Sequence, residues 1–200
     1  MRVAEADVAV VGVGVMGAAT TWALASDGLD VVALEQFRLG HARGSSHGTS
    51  RIFRLSYDDA GYVRLAQEAL ALWRELEADA AETVLEQTGS LDIGDDLSGF
   101  RTALTEAGVP FERPSPDELR REFPLLRPPD REFLLQRDGG TVHAERAVRA
   151  FVRVGQARGA RVAEGTPVSR LEPDGDGVTI ETAAGSLRVR AAVLTAGAWA

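Results

Sequence analysis

The stretch from Val8 to Glu35, VAVVGVGVMGAATTWALASDGLDVVALE, limits the fold more than any other part of the chain. An apolar run, Val8 to Val11, leads into Gly12-Val-Gly14-Val-Met-Gly17. An alanine-rich segment follows to Ser26, Gly28 closes it, and a second apolar run, Val31 to Leu34, ends on Glu35. The pattern predicts strand, tight turn, helix and second strand, the unit that cradles a dinucleotide. Gly12 is expected to permit the turn, Gly14 to let the backbone approach a pyrophosphate, and Gly17 to let helix and strand pack closely. The N–H groups at the positive end of the helix would then face the phosphates. Glu35 stands 18 residues beyond Gly17, near the spacing of roughly 20 at which an acid reaches the ribose hydroxyls. An ordinary glycine-rich turn is the alternative, and the strand, helix, second strand and terminal acid together speak against it.

Composition narrows the classes that such a unit could serve. A net charge of −8 argues against a nucleic-acid or anionic-membrane partner. The chain has no cysteine, which excludes disulfides, thiolate metal sites and cysteine nucleophiles. His41, His47 and His143 show no metal-ligand spacing, so no metal site is expected. No apolar run approaches the roughly 20 residues of a membrane span. The first residues carry one arginine and then Glu5 and Asp7, unlike a secretory leader. The expectation is a soluble cytoplasmic protein.

Residues 36–50, QFRLGHARGSSHGTS, read as a loop. Tyr62 to Leu76 is expected to be helical, with Tyr62, Leu65, Ala66, Ala69, Trp73 and Leu76 on its apolar face. Val84 to Ile93 reads as extended structure broken near Gly89, and Leu97 to Ala107 as a helix stopped by Gly108. Ser115-Pro-Asp-Glu118 is a capping box opening a short helix, after which Pro124, Pro128 and Pro129 interrupt. Glu145 to Arg158 is a further amphipathic helix ended by Gly159. Strands are expected at Arg161–Ala163, Val168–Glu172, Val178–Thr182, Leu187–Val189 and Ala191–Thr195. Trp22 and Trp73 are read as core residues and His143 as a capping or packing residue. The chain stops one residue after Trp199, directly beyond an apolar strand, and this leads to the expectation of a longer fold.

Four features together resemble the FAD-dependent amine oxidases of the monomeric sarcosine oxidase and N-methyltryptophan oxidase group, in the wider D-amino-acid oxidase-like superfamily. The first is the glycine unit with Glu35. The second is Gly44-Ser-Ser-His47-Gly48-Thr-Ser-Arg51-Ile-Phe-Arg54-Leu-Ser-Tyr57, which looks like that group's Gly-Ser-His-His-Gly loop followed by two arginines three apart and a tyrosine. The third is the helix with Tyr62-Val63, Leu65-Ala66 and Leu72-Trp73-Glu75-Leu76. The fourth is Val178-Thr-Ile-Glu-Thr182, the apolar strand and Ala196-Gly-Ala-Trp199.

The resemblance implies an α/β chain with α+β elements, a Rossmann-like FAD-binding domain with part of an antiparallel-sheet substrate domain. It assigns residues 1–80 and 142–200 to the FAD-binding domain and 81–141 to the partial substrate domain, as the N-terminal half of such an enzyme. The other half would carry a lysine that promotes oxygen reactivity and a cysteine that bonds to the flavin, and association with that half is a possible partnership. By the same resemblance Gly12, Gly14, Gly17 and Glu35 hold the pyrophosphate and ribose. Ser45, Ser46, His47 and Gly48 wrap the flavin side, Val168 reaches the adenine with its backbone, and Gly197 lets Thr195 to Gly197 pass close to the cofactor. Ser46 stands where the group has the first histidine of its pair. Arg54 would grip the carboxylate of an amino-acid substrate, Arg51 would stabilise the reduced flavin, and Tyr57 would line the same pocket. The implied reaction oxidises the C–N bond of an amino acid or N-methyl amino acid, with oxygen as co-substrate and imine and hydrogen peroxide as products. Two other readings compete: an inactive truncated flavin-binding fragment and an NAD-dependent dehydrogenase. Without the resemblance, Arg51 and Arg54 would read as a solvated surface pair and residues 44–48 as a solvated loop.

Overall fold

The chain's glycine unit folds as its pattern dictates. The computed structural model describes residues 4–200. Strand β1 (Ala4–Val11) leads into helix α1 (Val15–Ser26) and strand β2 (Val31–Leu34). All four residues of β2 are buried, as are Val8 to Val11, which explains their unbroken apolar runs. Helix α1 closes at Gly28, whose φ of 80° lets its N–H reach the Ala25 carbonyl while Leu29 N–H reaches Leu24.

The remaining elements, in order, are β3 (Ser50–Phe53), α2 (Ala60–Ala80), β4 (Leu85–Glu86), β5 (Ser90–Gly94), α3 (Ser98–Glu106), α4 (Pro116–Glu122), β6 (Glu132–Gln136) and β7 (Gly140–His143). Then follow α5 (Ala144–Ala157), β8 (Arg161–Ala163), β9 (Val168–Asp174), β10 (Gly177–Thr182), β11 (Gly185–Leu194) and a 3-10 turn at Gly197–Trp199. They divide into two compact units. The first comprises Met1–Ser50 (described from Ala4), Leu76–Glu82 and His143–Ala200, and the second Arg51–Glu75 and Thr83–Val142. Residues 51–75, which the sequence reading places with the nucleotide-binding part, cluster with the second unit.

The first unit is a six-stranded sheet in the order β8-β2-β1-β11-β10-β9. Strands β8, β2, β1 and β11 run parallel, and β10 and β9 are added antiparallel. Its core includes Ala6, Ala9, Val32, Leu34, Ile180 and Val189. Helices α1 and α5 pack on each other, with Trp22 and Phe151 rings 5.4 Å apart. The two strands expected at Leu187–Val189 and Ala191–Thr195 are one. No turn residue separates them, and β11 continues through Arg190 so that its first half pairs with β10 while Leu187 to Leu194 pair with β1.

In the second unit β3, β7 and β4 form a small sheet, β5 pairs antiparallel with β6, and Glu112 bridges Leu135. The capping box of α4 forms as expected: Glu118 N–H donates to Ser115 Oγ and Ser115 N–H donates to Glu118 Oε2. Helix α2 corrects its expected face. Val63, Ala66, Leu76 and Ala80 are buried, whereas Tyr62 and Leu65 are exposed, because two neighbouring apolar stripes fit the same period and packing selects the one through Val63. Strands β3, β6 and β7 have no counterpart in the sequence reading. Among the described residues no helix is long and apolar enough to cross a membrane.

Candidate cofactor site

The turn between β1 and α1 leaves no room for side chains. Gly12 sits at a φ of 93°, and a Cβ there would lie 2.8 Å from both Ala196 Cα and the Thr195 carbonyl. A Cβ on Gly17 would fall 1.8 Å from the Gly12 carbonyl oxygen. Gly12 N–H donates to Leu34 O at 2.8 Å, and the Thr195 hydroxyl donates to Gly12 O at 2.8 Å. The turn, the first coil of α1 and the end of β11 are thus interlocked through backbone atoms.

Gly14 is the N-cap of α1 and offers no side-chain cap, and the first helical turn has no acidic residue. An anion placed there meets the positive end of the helix with no like charge from the helix's own first turn. Ser46 supplies an acceptor instead: Val15 N–H donates to its Oγ at 2.9 Å. Glu35, only 4% exposed, takes Val13 N–H on Oε2 at 2.8 Å and Phe37 N–H on Oε1 at 2.9 Å. Its carboxylate therefore ties the glycine turn, at Val13, to the loop after β2, at Phe37, and His41 Nε2 lies 3.4 Å from Oε1.

These elements surround a cavity of about 1360 Å³. Gly12, Gly14, Glu35, Ser45, Ser46, His47, Val168 and Gly197 all line it. Gly17 and Gly48 do not. Gly17 is consumed in the helix–turn contact, and Gly48, at a φ of 104°, directs its N–H to Glu145 Oε1 at 3.4 Å. His47 Nδ1 is 2.5 Å from the Gly44 carbonyl. Every lining residue belongs to the first unit. Arg51, Arg54 and Tyr57 belong to the second and are not among the lining residues. There, the Arg54 guanidinium lies 4.9 Å from the Tyr57 ring centre and 3.8 Å from Asp92. His143 occupies the N-cap of α5 without a side-chain cap, and Trp22 is buried.

Sequence reasoning missed the group of Phe37, His41, Arg43 and Trp199. Phe37 meets His41 at 4.8 Å and Trp199 at 5.6 Å, edge to face, and carries the Arg43 guanidinium at 4.7 Å. Trp199 Nε1 donates to the Arg43 carbonyl at 3.1 Å. Nothing periodic in residues 36–50 signals this packing. The available clue was the presence of the aromatic Phe37 in a loop made mostly of small and polar residues.

A largely parallel sheet with a glycine turn, a helix start whose N-cap glycine offers no side chain, and a large cavity beside a buried acid together define a dinucleotide-binding protein. The residues fit FAD: the cradle is one that added Cβ atoms would fill, and the helix start can accept a pyrophosphate. Residues 7–200 match the family model described as FAD dependent oxidoreductase, and the chain belongs to that family, whose cofactor is FAD. It is 36% identical to the peroxisomal sarcosine oxidase of Homo sapiens over 198 residues, 96% of this chain and 50% of that protein. It is 31% identical to the N-methyl-L-tryptophan oxidase of Salmonella arizonae, over 96% of this chain and 54% of that protein. Among solved structures it is similar to NikD, an unusual amino acid oxidase essential for nikkomycin biosynthesis, with a TM-score of 0.83 and 33% identity, covering 98% of this chain and 52% of that one. The chain spans about half the length of the curated relatives it matches.

Proposed function

We propose that this chain is the FAD-binding part of an oxidase acting on the C–N bond of an amino acid or N-methyl amino acid, of the sarcosine and N-methyltryptophan oxidase type. The observation that carries this reading is the turn interlocked by Gly17, with Gly12, Gly14 and the buried Glu35 carboxylate lining one large cavity. When bound, FAD supplies the two-electron acceptor for that oxidation, and oxygen takes the electrons on to hydrogen peroxide. In this reading the first unit is the FAD-binding domain and the second is part of the substrate domain. The α1 start, with Gly14 and Ser46, receives the pyrophosphate. Glu35 holds the turn and turns its remaining lone pairs to the ribose, while Ser45, His47, Gly48, Val168 and Gly197 shape the rest of the site. Arg54 receives the substrate carboxylate, Arg51 supplies positive charge for the reduced cofactor, and Tyr57 fixes the Arg54 guanidinium through its ring face. We also propose a cytoplasmic location. The human relative is named as peroxisomal, so cell fractionation decides between the two.

The first test is the visible absorption spectrum of the purified chain with and without added FAD. A flavin spectrum at near-equal stoichiometry, followed by peroxide release from N-methylglycine, is the expected result. Tight NADH binding with no flavin retained would overturn the reading. Retained flavin without peroxide from any amino acid would leave a binding module and no oxidase.

A further inference from the structure

The second unit holds several arginines against carboxylates, and one of them is held differently. Arg131 grips Asp95 through two hydrogen bonds of 2.8 Å, and Arg137 grips Glu112 through bonds of 2.8 and 2.9 Å. In those pairs the guanidinium fork is used up. The side chain of Arg54, 44% exposed, has a carboxylate neighbour too, but Asp92 Oδ1 stands off at 3.8 Å from Nη1. That is an ion pair beyond hydrogen-bond range. Among the described residues Arg54 donates no hydrogen bond, and its second support is the face of Tyr57, itself 5.8 Å from Tyr62. The guanidinium is thus fixed by charge and by a ring face while its N–H groups stay available.

Asp92 is held with equal care. Its side chain is only 17% exposed, and its backbone pairs with Leu134 inside the β5–β6 ladder. The hydroxyl of the fully buried Ser56 donates to its Oδ2. The buried serine therefore orients one carboxylate oxygen so that the other faces Arg54. We infer that Asp92, locked by Ser56, is a positioning residue that holds Arg54 open for the carboxylate of a ligand. This inference rests on the proposed carboxylate-binding role of Arg54.

The arrangement makes a prediction opposite in sign to simple electrostatics. If Asp92 acted only as a nearby negative charge, replacing it with a neutral side chain would strengthen anion binding to Arg54. If it positions Arg54, the same change weakens binding by about the worth of one hydrogen bond, roughly three- to tenfold. The experiment is labelling of the full 200-residue chain with phenylglyoxal, an arginine-directed reagent, in rising benzoate, a carboxylate with no amine to oxidise. Mass spectrometry of the Arg54 peptide reads the protection, and the Arg131 and Arg137 peptides serve as internal controls. In the wild type benzoate should protect Arg54 and leave the two controls unchanged. In Asp92→Asn the half-protecting concentration should rise by about that factor. Ser56→Ala keeps the charge and should produce a rise in the same direction. Asp92→Asn, nearly isosteric and partly exposed, decides the matter if Ser56→Ala melts below the assay temperature. Protection unchanged or tightened in Asp92→Asn overturns the positioning role and leaves the Arg54 assignment standing. Absence of protection in the wild type overturns that assignment, and the inference falls with it.

Discussion

Both units carry arginine–carboxylate pairs near their surfaces, Arg158 with Asp79 and Arg161 with Asp30 in the first as well as Arg137 with Glu112 in the second, but the first adds a tighter set of contacts around its glycine turn. In the first, polar contacts run from side chain to backbone at a few points: Glu35 to Val13 and Phe37, and Thr195 to Gly12. These points coincide with close approaches that only glycine permits. The second shows the shared kind, in which charge meets charge near the surface. Arg137 joins Glu112 and Glu122, Arg131 joins Asp95, and Glu132 joins Arg101 and Arg113. Exposed pairs of this kind each add little to stability. The contrast teaches where the chain is intolerant of change. Removing ion pairs should be mild in either unit, whereas substitutions at backbone-to-backbone approaches should be severe: Gly12 and Gly17 at the cofactor turn, and Gly140 in the second unit, where a Cβ would lie 2.0 Å from the Glu86 carbonyl oxygen.

The sharpest way to break this comparison is Gly17→Ala. The new Cβ would meet a backbone oxygen 1.8 Å away, and neither partner is a flexible side-chain end. A loss of about 3 kcal/mol is expected, toward the upper end for overpacking. It should lower the melting temperature by roughly 10 °C, and FAD affinity should fall with it. A melt within a degree or two of the wild type, with flavin still bound, would show that the turn is softer than its geometry. Glu35→Gln comes next. The amide oxygen can serve only one of the two backbone donors, Val13 N–H and Phe37 N–H, and its NH₂ group is turned toward the other. A buried donor without a partner costs about 1–3 kcal/mol, so a loss near 2 kcal/mol is expected in denaturant titration. Unchanged stability would mean that the carboxylate does not organise the turn.

In the second unit the α4 capping box is a device confined to one helix end. Ser115→Ala removes the acceptor of Glu118 N–H and should cost about 1 kcal/mol. This is smaller than either change in the first unit. A loss exceeding that of Glu35→Gln would reverse the comparison.

The same contrast explains how much could be read from sequence. The turn, α1, β2 and Glu35 were legible because their rules are local: glycines at fixed spacing, apolar runs, and an acid at the end of a strand. The capping box at Ser115 was legible for the same reason. Strands β3, β6 and β7 were not, since their pairing joins residues far apart in sequence, as β4 with β7 does at Leu85 and Val142. The period of α2 allowed two apolar stripes, and only tertiary packing chose the one through Val63. At the site, the glycines and Ser46 could be named from their motifs. The packing of Phe37, Arg43 and Trp199 depends on β11 ending beside the loop after β2, and no local pattern encodes that.

The smallest expected effect separates the units by pH. In the second unit Asp95, Asp96, Glu112, Glu118, Glu122 and Glu132 all lie below the usual carboxylate range. Hydrogen bonds from Arg131, Ser98, Arg137, Ser115, Arg137 and Leu97 N–H, respectively, are the leading causes. In the first unit Asp176, bonded to Arg188, is shifted in the same direction. A group whose value is depressed on folding stabilises the fold above its unfolded value, about 3.9 for Asp and 4.3 for Glu, and that contribution is lost as pH falls through the folded value. Each of these groups is at or near the surface, so each contribution is slight, but six of them share one unit. Between about pH 5 and pH 3, β5 and β6 should therefore lose protection from hydrogen exchange before β1 and β2 do, once the intrinsic pH dependence of exchange is removed. High salt should weaken the effect, because exposed ion pairs are screened. Loss of protection in β1 and β2 first would overturn the placing of the acid-sensitive carboxylates in the second unit.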